Sequence, residues 1–234
     1  PVQAAPVATV GRTPVIVELF TSEGCSSCPP ADALLSQLEK TQSVQGAEVI
    51  ALGEHVDYWN HGGWADRFSS RQFSARQSDY ATDFRKDTVY TPQMIVDGRT
   101  EFVGSDDDAA RAAITRASRL PKAQVSVTQT GNALSVRVDH LPLSAKNDPA
   151  EVMLAITEDG LSSSVGGGEN AGRRLTHSAV VRHLTPLGTI SGGVFTAAPS
   201  VKAFSGHHGK LSAVVFVQER GSRLIVGAGE VSLT

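Results

Sequence analysis

Short apolar runs set off by polar and glycine-containing punctuation make up the first half of the chain. Pro14-Val15-Ile16-Val17-Glu18-Leu19-Phe20 has the length and the β-branched, aromatic content of a buried strand. Ala31–Glu39 repeats its apolar residues at helical spacing instead and predicts a helix. Pro29-Pro30 fits the first turn of that helix, where a missing N–H costs nothing, and Gly46 is placed to close it after Val44-Gln45. Ala47–Val56 predicts a second strand, and Ala65–Lys86 a polar helix with Phe68, Phe73, Ala75, Tyr80 and Phe84 turned inward. Val89–Gly104 reads as a turn, a strand, an Asp97-Gly98 hairpin turn and another strand. Pro92 stands at the mouth of that strand, where the lack of a donor is tolerated. Ser105-Asp106-Asp107-Asp108 caps a helix over Ala109–Arg119 and puts acids at its positive end, and Leu120-Pro121 stops it.

After Pro121 the texture changes to alternation. Runs at Ala123–Thr130, Ala133–Asp139, Glu151–Thr157, Leu175–Arg182, Val194–Phe195, Leu211–Gln218 and Arg223–Val231 are separated by turn signals such as Gly131-Asn132, Asn147-Asp148-Pro149 and Gly221-Ser222. Several short strands at such spacing predict a β-sandwich of immunoglobulin-like size, with no cysteine pair to staple it. The expected organisation is therefore an extended lead-in over 1–13, an α/β domain over 14–120 and an all-β sandwich domain over 121–234.

Composition narrows the partners. With 234 residues, 40% hydrophobic content and a net charge of −3, nothing in the balance favours nucleic acid or an anionic membrane. No apolar run reaches the length of a membrane span. The opening Pro-Val-Gln-Ala-Ala-Pro-Val-Ala-Thr-Val resembles a mature exported chain after loss of a signal peptide, so a periplasmic or secreted location is expected.

The chain has two cysteines, and both lie in Thr21-Ser22-Glu23-Gly24-Cys25-Ser26-Ser27-Cys28-Pro29-Pro30, between the first strand and the first helix. A helix N-terminus presents unpaired N–H groups and a partial positive charge, which stabilise the reactive thiolate. The helix start should turn Cys25 outward and Cys28 towards the body. Three other readings stand beside a redox pair. A structural disulfide across so short a loop would constrain the unfolded chain little. A zinc site would need further ligands that no second Cys-x-x-Cys or His-x-x-x-His supplies. Copper(I), which prefers thiolates, could take Cys25 and Cys28 with His55.

Around this motif stand residues with a plausible supporting part. Glu18 is either a carboxylate at a solvent-facing strand edge or a buried proton acceptor beneath the cysteines. The second strand ends in Glu54, His55, Asp57, Tyr58, Trp59, Asn60, His61 and Trp64, which holds both tryptophans; packing explains the tryptophans, and His55 and Asp57 are supporting candidates. A cis Thr91-Pro92 bond would free the preceding backbone to pair with a bound peptide. Gly166-Gly167-Gly168-Glu169-Asn170-Ala171-Gly172-Arg173-Arg174 looks like a phosphate cradle, but no Gly-Lys-Ser/Thr ending or helix follows, so it reads as a flexible loop. His207-His208 reads as a solvated turn rather than a metal site, and His177, which could face the cysteine-bearing domain, reads first as a simple strand residue. No Gly-x-Ser-x-Gly elbow supports a hydrolase.

Strand, Cys-x-x-Cys, helix, strand, helical insert, Thr-Pro, hairpin and terminal helix together resemble the thioredoxin fold over residues 14–120. The run Val17–Asp32, with His55-Val56-Asp57-Tyr58-Trp59 and Val89–Gly98, is similar to a family of secreted, thioredoxin-like bacterial proteins of largely uncharacterised function. The resemblance implies thiol–disulfide exchange on protein or small-molecule thiols, with a redox partner protein and no cofactor beyond a redox-active Cys25–Cys28 disulfide. It makes Cys25 the attacking cysteine, Cys28 the resolving one and Pro92 the cis-proline opposite them. Thr91, Gly24, Ser26 and Ser27 would then meet the substrate. Two other expectations remain open: soft-metal delivery through the cysteines, and partner docking by the sandwich with the first domain as inert scaffold.

Overall fold

The computed structural model describes residues 11–142, 148–204 and 209–234. At its centre lies β1 (Thr13–Thr21), the apolar run read above as a buried strand. It pairs in parallel with β2 (Ala47–His55) and antiparallel with β3 (Gln93–Val96), which pairs antiparallel with β4 (Thr100–Val103). Side chains alternate across a strand, so β1 serves two cores. Val15, Val17 and Leu19 meet Ala31, Leu34, Leu35 and Leu38 of α1 (Pro29–Thr41) and Ala110, Ala113 and Ile114 of α3 (Asp107–Ala117). Phe20 faces the other way, towards Tyr80 of α2 (Arg71–Asp83).

The same sheet continues into the second half of the chain. β10 (Val180–Ile190) joins β2 through Val180 opposite Gly53, and β7 (Ala150–Asp159), β12 (Lys210–Glu219) and β13 (Ile225–Ser232) extend the sheet beyond it. The result is eight strands in the order β13-β12-β7-β10-β2-β1-β3-β4. Gly53 permits the junction: a Cβ there would stand 3.2 Å from the Ser178 carbonyl oxygen and 3.3 Å from that of Ala179. The main sheet thus runs across the boundary expected at residue 121. A second sheet, β11 (Phe195–Ala197), β6 (Ala133–Asp139) and β5 (Gln124–Thr130), shares a core with it, in which Val127, Leu134, Val136 and Val138 meet Val152, Leu154, Ile156, Val215 and Val217. A separate hairpin, β8 (Leu161–Ser164) with β9 (Arg174–His177), carries the 165–173 loop at its tip.

Several expected elements shift. α1 ends before Gly46, because Gln42 takes a left-handed conformation (φ 48°) and exchanges side-chain hydrogen bonds with the backbone of Val49. α2 begins at Arg71, capped by the Ser70 hydroxyl, so 65–70 is not helical although Phe68 is buried. Ala75 is exposed, and Arg76 and Gln77 take inward positions. The expected Leu175–Arg182 strand is two strands, β9 and β10, with Ala179 at φ 49° between them. The His207-His208 turn and the start of the lead-in lie outside the described residues.

Candidate functional site

β1 runs out at Thr21 into the Ser22–Ser27 loop, and Cys28 is the residue from which α1 starts. The loop is tightly wound: the Cys25 N–H donates to the Ser22 carbonyl at 3.2 Å, and the Cys28 N–H to the Cys25 carbonyl at 3.2 Å. The two sulfurs are joined as a disulfide across a sequence separation of 3. The Cys25 sulfur also stands 3.3 Å from the Ser27 hydroxyl.

The Thr91-Pro92 peptide bond is cis, with Pro92 buried. A Cβ on Gly104 would meet Leu19, Ala31 and Pro92 at 2.7, 3.1 and 3.1 Å, so Pro92 converges on the end of β1 and the start of α1. Trp59 closes another side. Its indole N–H donates to the Thr91 hydroxyl at 2.7 Å, and its Cβ lies where a side chain on Gly24 would have to go, 3.3 Å away. Sequence reading had assigned both tryptophans to packing, but both have their indole N–H committed beside the cysteine loop.

Cys25 does not face outward. It is 1% exposed and Cys28 0%, and within Cys25–Cys28 it is Ser26 and Ser27 that reach solvent. The cover comes from the 165–173 loop, whose tip is hydrogen-bonded to the cysteine loop. Asn170 is fully buried, and its side-chain amide donates to the carbonyls of Glu23 (2.9 Å) and Cys25 (2.8 Å). Glu169 accepts the Ser26 N–H at 2.9 Å. The glycine run has a steric reason: a Cβ on Gly167 would lie 2.3 Å from the Gly63 carbonyl oxygen, and one on Gly166 3.2 Å from the Trp64 ring.

Beside the disulfide lies a buried cluster of acids and imidazoles. His55 Nδ1 is 2.6 Å from Asp66 Oδ2, which also accepts the Glu23 N–H at 2.9 Å. Glu23 accepts the Trp64 indole N–H at 2.8 Å and stands 3.2 Å from His177 Nε2. The His55 and His177 rings meet edge to face with centroids 4.8 Å apart. Burial pushes the Glu23 carboxyl up, but hydrogen bonds from His177 and Trp64 outweigh it and hold the group below its ordinary range. Asp66 behaves alike: burial is opposed by His55 and the N–H groups of Glu23 and Phe68, and its carboxyl is held low.

Asp32, one turn into α1, goes the other way. Its N–H donates to the Cys28 carbonyl at 3.1 Å. Burial among these groups pushes its carboxyl up to about 7; the His177 imidazole and nearby Thr21 hydroxyl oppose the rise, and the charges of Asp66 and Glu23 add to it. Asp32 and His177 also line a cleft of about 1130 Å³ between α1 and the β8–β9 hairpin. The cluster therefore combines groups that stay ionised with one that exchanges its proton near neutrality.

Glu18 is elsewhere. Alternation puts it on the α2 face of β1, fully buried, where it accepts from Arg76 Nε (2.6 Å) and the Tyr80 hydroxyl (2.6 Å). It is neither a solvent-edge carboxylate nor an acceptor beneath the cysteines, because the strand period turns it away from α1. Asp57 is half-buried, and its N–H donates to the Ser74 hydroxyl of α2 at 3.0 Å. Among the described residues no group of three or more His, Cys, Asp or Glu side chains is arranged to hold a metal ion, and His55 is committed to Asp66.

A family model described as a protein of unknown function, DUF1223, matches residues 16–218. The chain belongs to that family. A crystal structure of a protein from Agrobacterium tumefaciens resembles this DUF1223 chain with a TM-score of 0.76 at 26% identity, covering 94% of each chain. A hypothetical protein from Pyrococcus horikoshii matches 48% of this chain and 88% of its own at 9% identity and a TM-score of 0.22, too distant to carry an argument. No curated protein matches. No helix among the described residues is long and apolar enough to cross a membrane.

Sequence reading did not single out Glu23, Asp32, Asp66, Glu169 and Asn170, which the structure brings together with His177 beside the cysteine loop. Two signals were available. Asp32 follows Cys28 by one helical turn, and three consecutive glycines indicate close backbone approach as readily as mobility.

Proposed function

We propose that this protein is a thiol–disulfide oxidoreductase working through Cys25 and Cys28, on protein or small-molecule thiols outside the cytoplasm. The observation that carries the reading is the joining of the chain's two cysteines at the N-terminal end of α1. The order β2-β1-β3-β4, with β1 and β2 parallel, β3 and β4 antiparallel and helices on both faces, supports a thioredoxin-like assignment for residues 14–120. The shared core of the two sheets supports a sandwich over 121–234. Fold likeness is weak evidence for chemistry, so the site bears the weight.

In the reductive direction the Cys25 thiolate attacks a substrate disulfide, forming a mixed disulfide and releasing one substrate thiolate. The Cys28 thiolate then attacks the Cys25 sulfur, re-forming the pair and releasing the second substrate thiolate. The two protons lost by the pair end on the substrate sulfurs. Asp32, its carboxyl raised to about 7 by burial, offers a place to hold one in transit, open to the cleft. Thr91 and the exposed Ser26 and Ser27 present the surface a substrate would meet.

The test is equilibration of the intact protein in a glutathione series. A reversible couple between about −120 and −270 mV is expected for an exchanging pair. A couple below about −300 mV, with thiols that react no faster than an ordinary buried cysteine, would make the disulfide structural.

A further inference from the structure

We propose that Glu169 and Asn170 are positioning residues of the redox pair, and that the loop bearing them is a lid that holds the oxidised form and is released when the pair is reduced. This rests on the oxidoreductase reading above.

Glu169 is the first reason. Its carboxylate takes the N–H of Ser26, between the two cysteines, and that bond holds its own carboxyl below the ordinary range. The N-terminal end of α1 is also where a Cys25 thiolate would draw its stabilisation. In the disulfide the Cys25 sulfur is neutral, and the carboxylate has the site to itself. A dithiol reductant delivers two electrons and two protons, its own sulfurs closing to a disulfide, while the Cys25–Cys28 bond breaks to two thiols. When Cys25 gives up its proton to water, two negative charges stand at the same N-terminal end of α1. A contact that favours the oxidised state in this way must be weakened by reduction to the same degree, because the linkage is reciprocal.

The loop's attachment is the second reason. Within it Val165 and Asn170 are buried, and Gly166, Gly168, Glu169, Ala171, Gly172 and Arg173 are exposed. It docks on the site through the Asn170 amide, the Glu169 carboxylate and glycine backbone laid along Gly62–Trp64, not through an apolar face. It is braced internally by Val165 N–H to the Arg173 carbonyl (2.9 Å), Gly172 N–H to the Val165 carbonyl (2.8 Å) and Arg173 Nη1 to the Asn170 side-chain oxygen (2.8 Å). A segment held by polar contacts at its tip and rooted on a two-stranded hairpin opens at low cost and can move as a unit. Opening exposes Cys25, which the closed loop keeps from solvent.

Two measurements on the full chain test this. Hydrogen exchange is followed in the wild type, oxidised and then reduced with dithiothreitol. The Ser26 amide, bonded to Glu169, is expected to exchange about ten-fold or more faster once the pair is reduced, while Val165 and Gly172 keep their protection. The glutathione exchange constant is compared between wild type and Glu169→Gln. Removing the carboxylate is expected to shift it roughly two- to five-fold towards the reduced form, from the size of charge effects at a helix terminus. A normal reversible couple with identical Ser26 exchange in both redox states, or with an unchanged constant in Glu169→Gln, would overturn the lid and leave the oxidoreductase standing. No reversible couple at all would remove both.

Discussion

Two buried polar clusters flank the strands β1 and β2, and they differ in what their charges can do. On the α2 side, Glu18 and Glu54 share Arg76, with Tyr80 and Gln218 completing the hydrogen bonding. Burial pushes the Glu54 carboxyl well up, with Arg76 opposing and the Glu18 charge adding to it, while the neighbouring carboxylates hold the Arg76 guanidinium charged. On the disulfide side, low carboxyls at Glu23 and Asp66 stand with His55, His177 and an Asp32 that titrates near 7 at the wall of a cleft. Burial of charge is common to both. The second has a carboxyl raised to about 7 at the wall of a cleft, and it adjoins the cysteine loop. A buried carboxylate in a strand is thus a poor guide to a site until its partner is known.

The comparison breaks most readily at Arg76. Arg76→Ala leaves Glu18 and Glu54 buried without their cation and should cost about 3–5 kcal/mol, read as a lower urea midpoint. Any molecules that remain folded should keep the wild-type exchange constant. A cost below about 1 kcal/mol would mean that Arg76 does not hold the α2 cluster.

Cys28→Ser sharpens the other side. Exchange activity should vanish, yet stability should fall by only about 2 kcal/mol, because the loop closed by the disulfide is so short. A loss as large as that of Arg76→Ala would instead point to a structural staple.

Asp32 gives a test by pH. Its carboxyl rises from 3.8 to about 7 on folding, so the native state binds that proton more tightly than the unfolded chain does. Its stabilising contribution is complete below pH 3.8 and is lost as pH rises through about 7. The wild type should lose roughly 2 kcal/mol relative to Asp32→Asn between pH 4 and 7, after a discount for partial exposure. Parallel stability curves for the two proteins would show that Asp32 does not titrate there.

The smallest effect is expected at Trp59. Trp59→Phe removes the bond to Thr91 at a cost of about 0.5–1.5 kcal/mol and should speed alkylation of the reduced pair. Unchanged alkylation would remove Trp59 from the wall of the site.

Much of the framework was open to reading from the chain. β1, α1, β2 and the hairpin of β3 with β4 follow from apolar period, proline position and the Asp97-Gly98 turn, all local effects. The alternating runs after residue 121 located most of the later strands for the same reason. Polar residues were harder. Arg76 and Gln77 turn inward where Ala75 was expected to, because their partners are Glu18 in another strand and Gln93 beyond the helix. A pattern search sees hydrophobicity, not a cation fifty-odd residues from its carboxylate.

What the sequence by itself determined is the Cys-x-x-Cys motif and its seat: two cysteines, placed at the junction of a buried strand and a helix by residues within one or two turns of them. Only the tertiary structure decided that Cys25 is covered, that Glu18 belongs to Arg76, and that Asp32, Glu23 and His177 meet. Those facts depend on which way a strand side chain points and on the continuation of one sheet through Gly53, which brings the 165–173 loop over the disulfide. They are contacts between distant segments, and their energy comes from packing and burial that no local window contains.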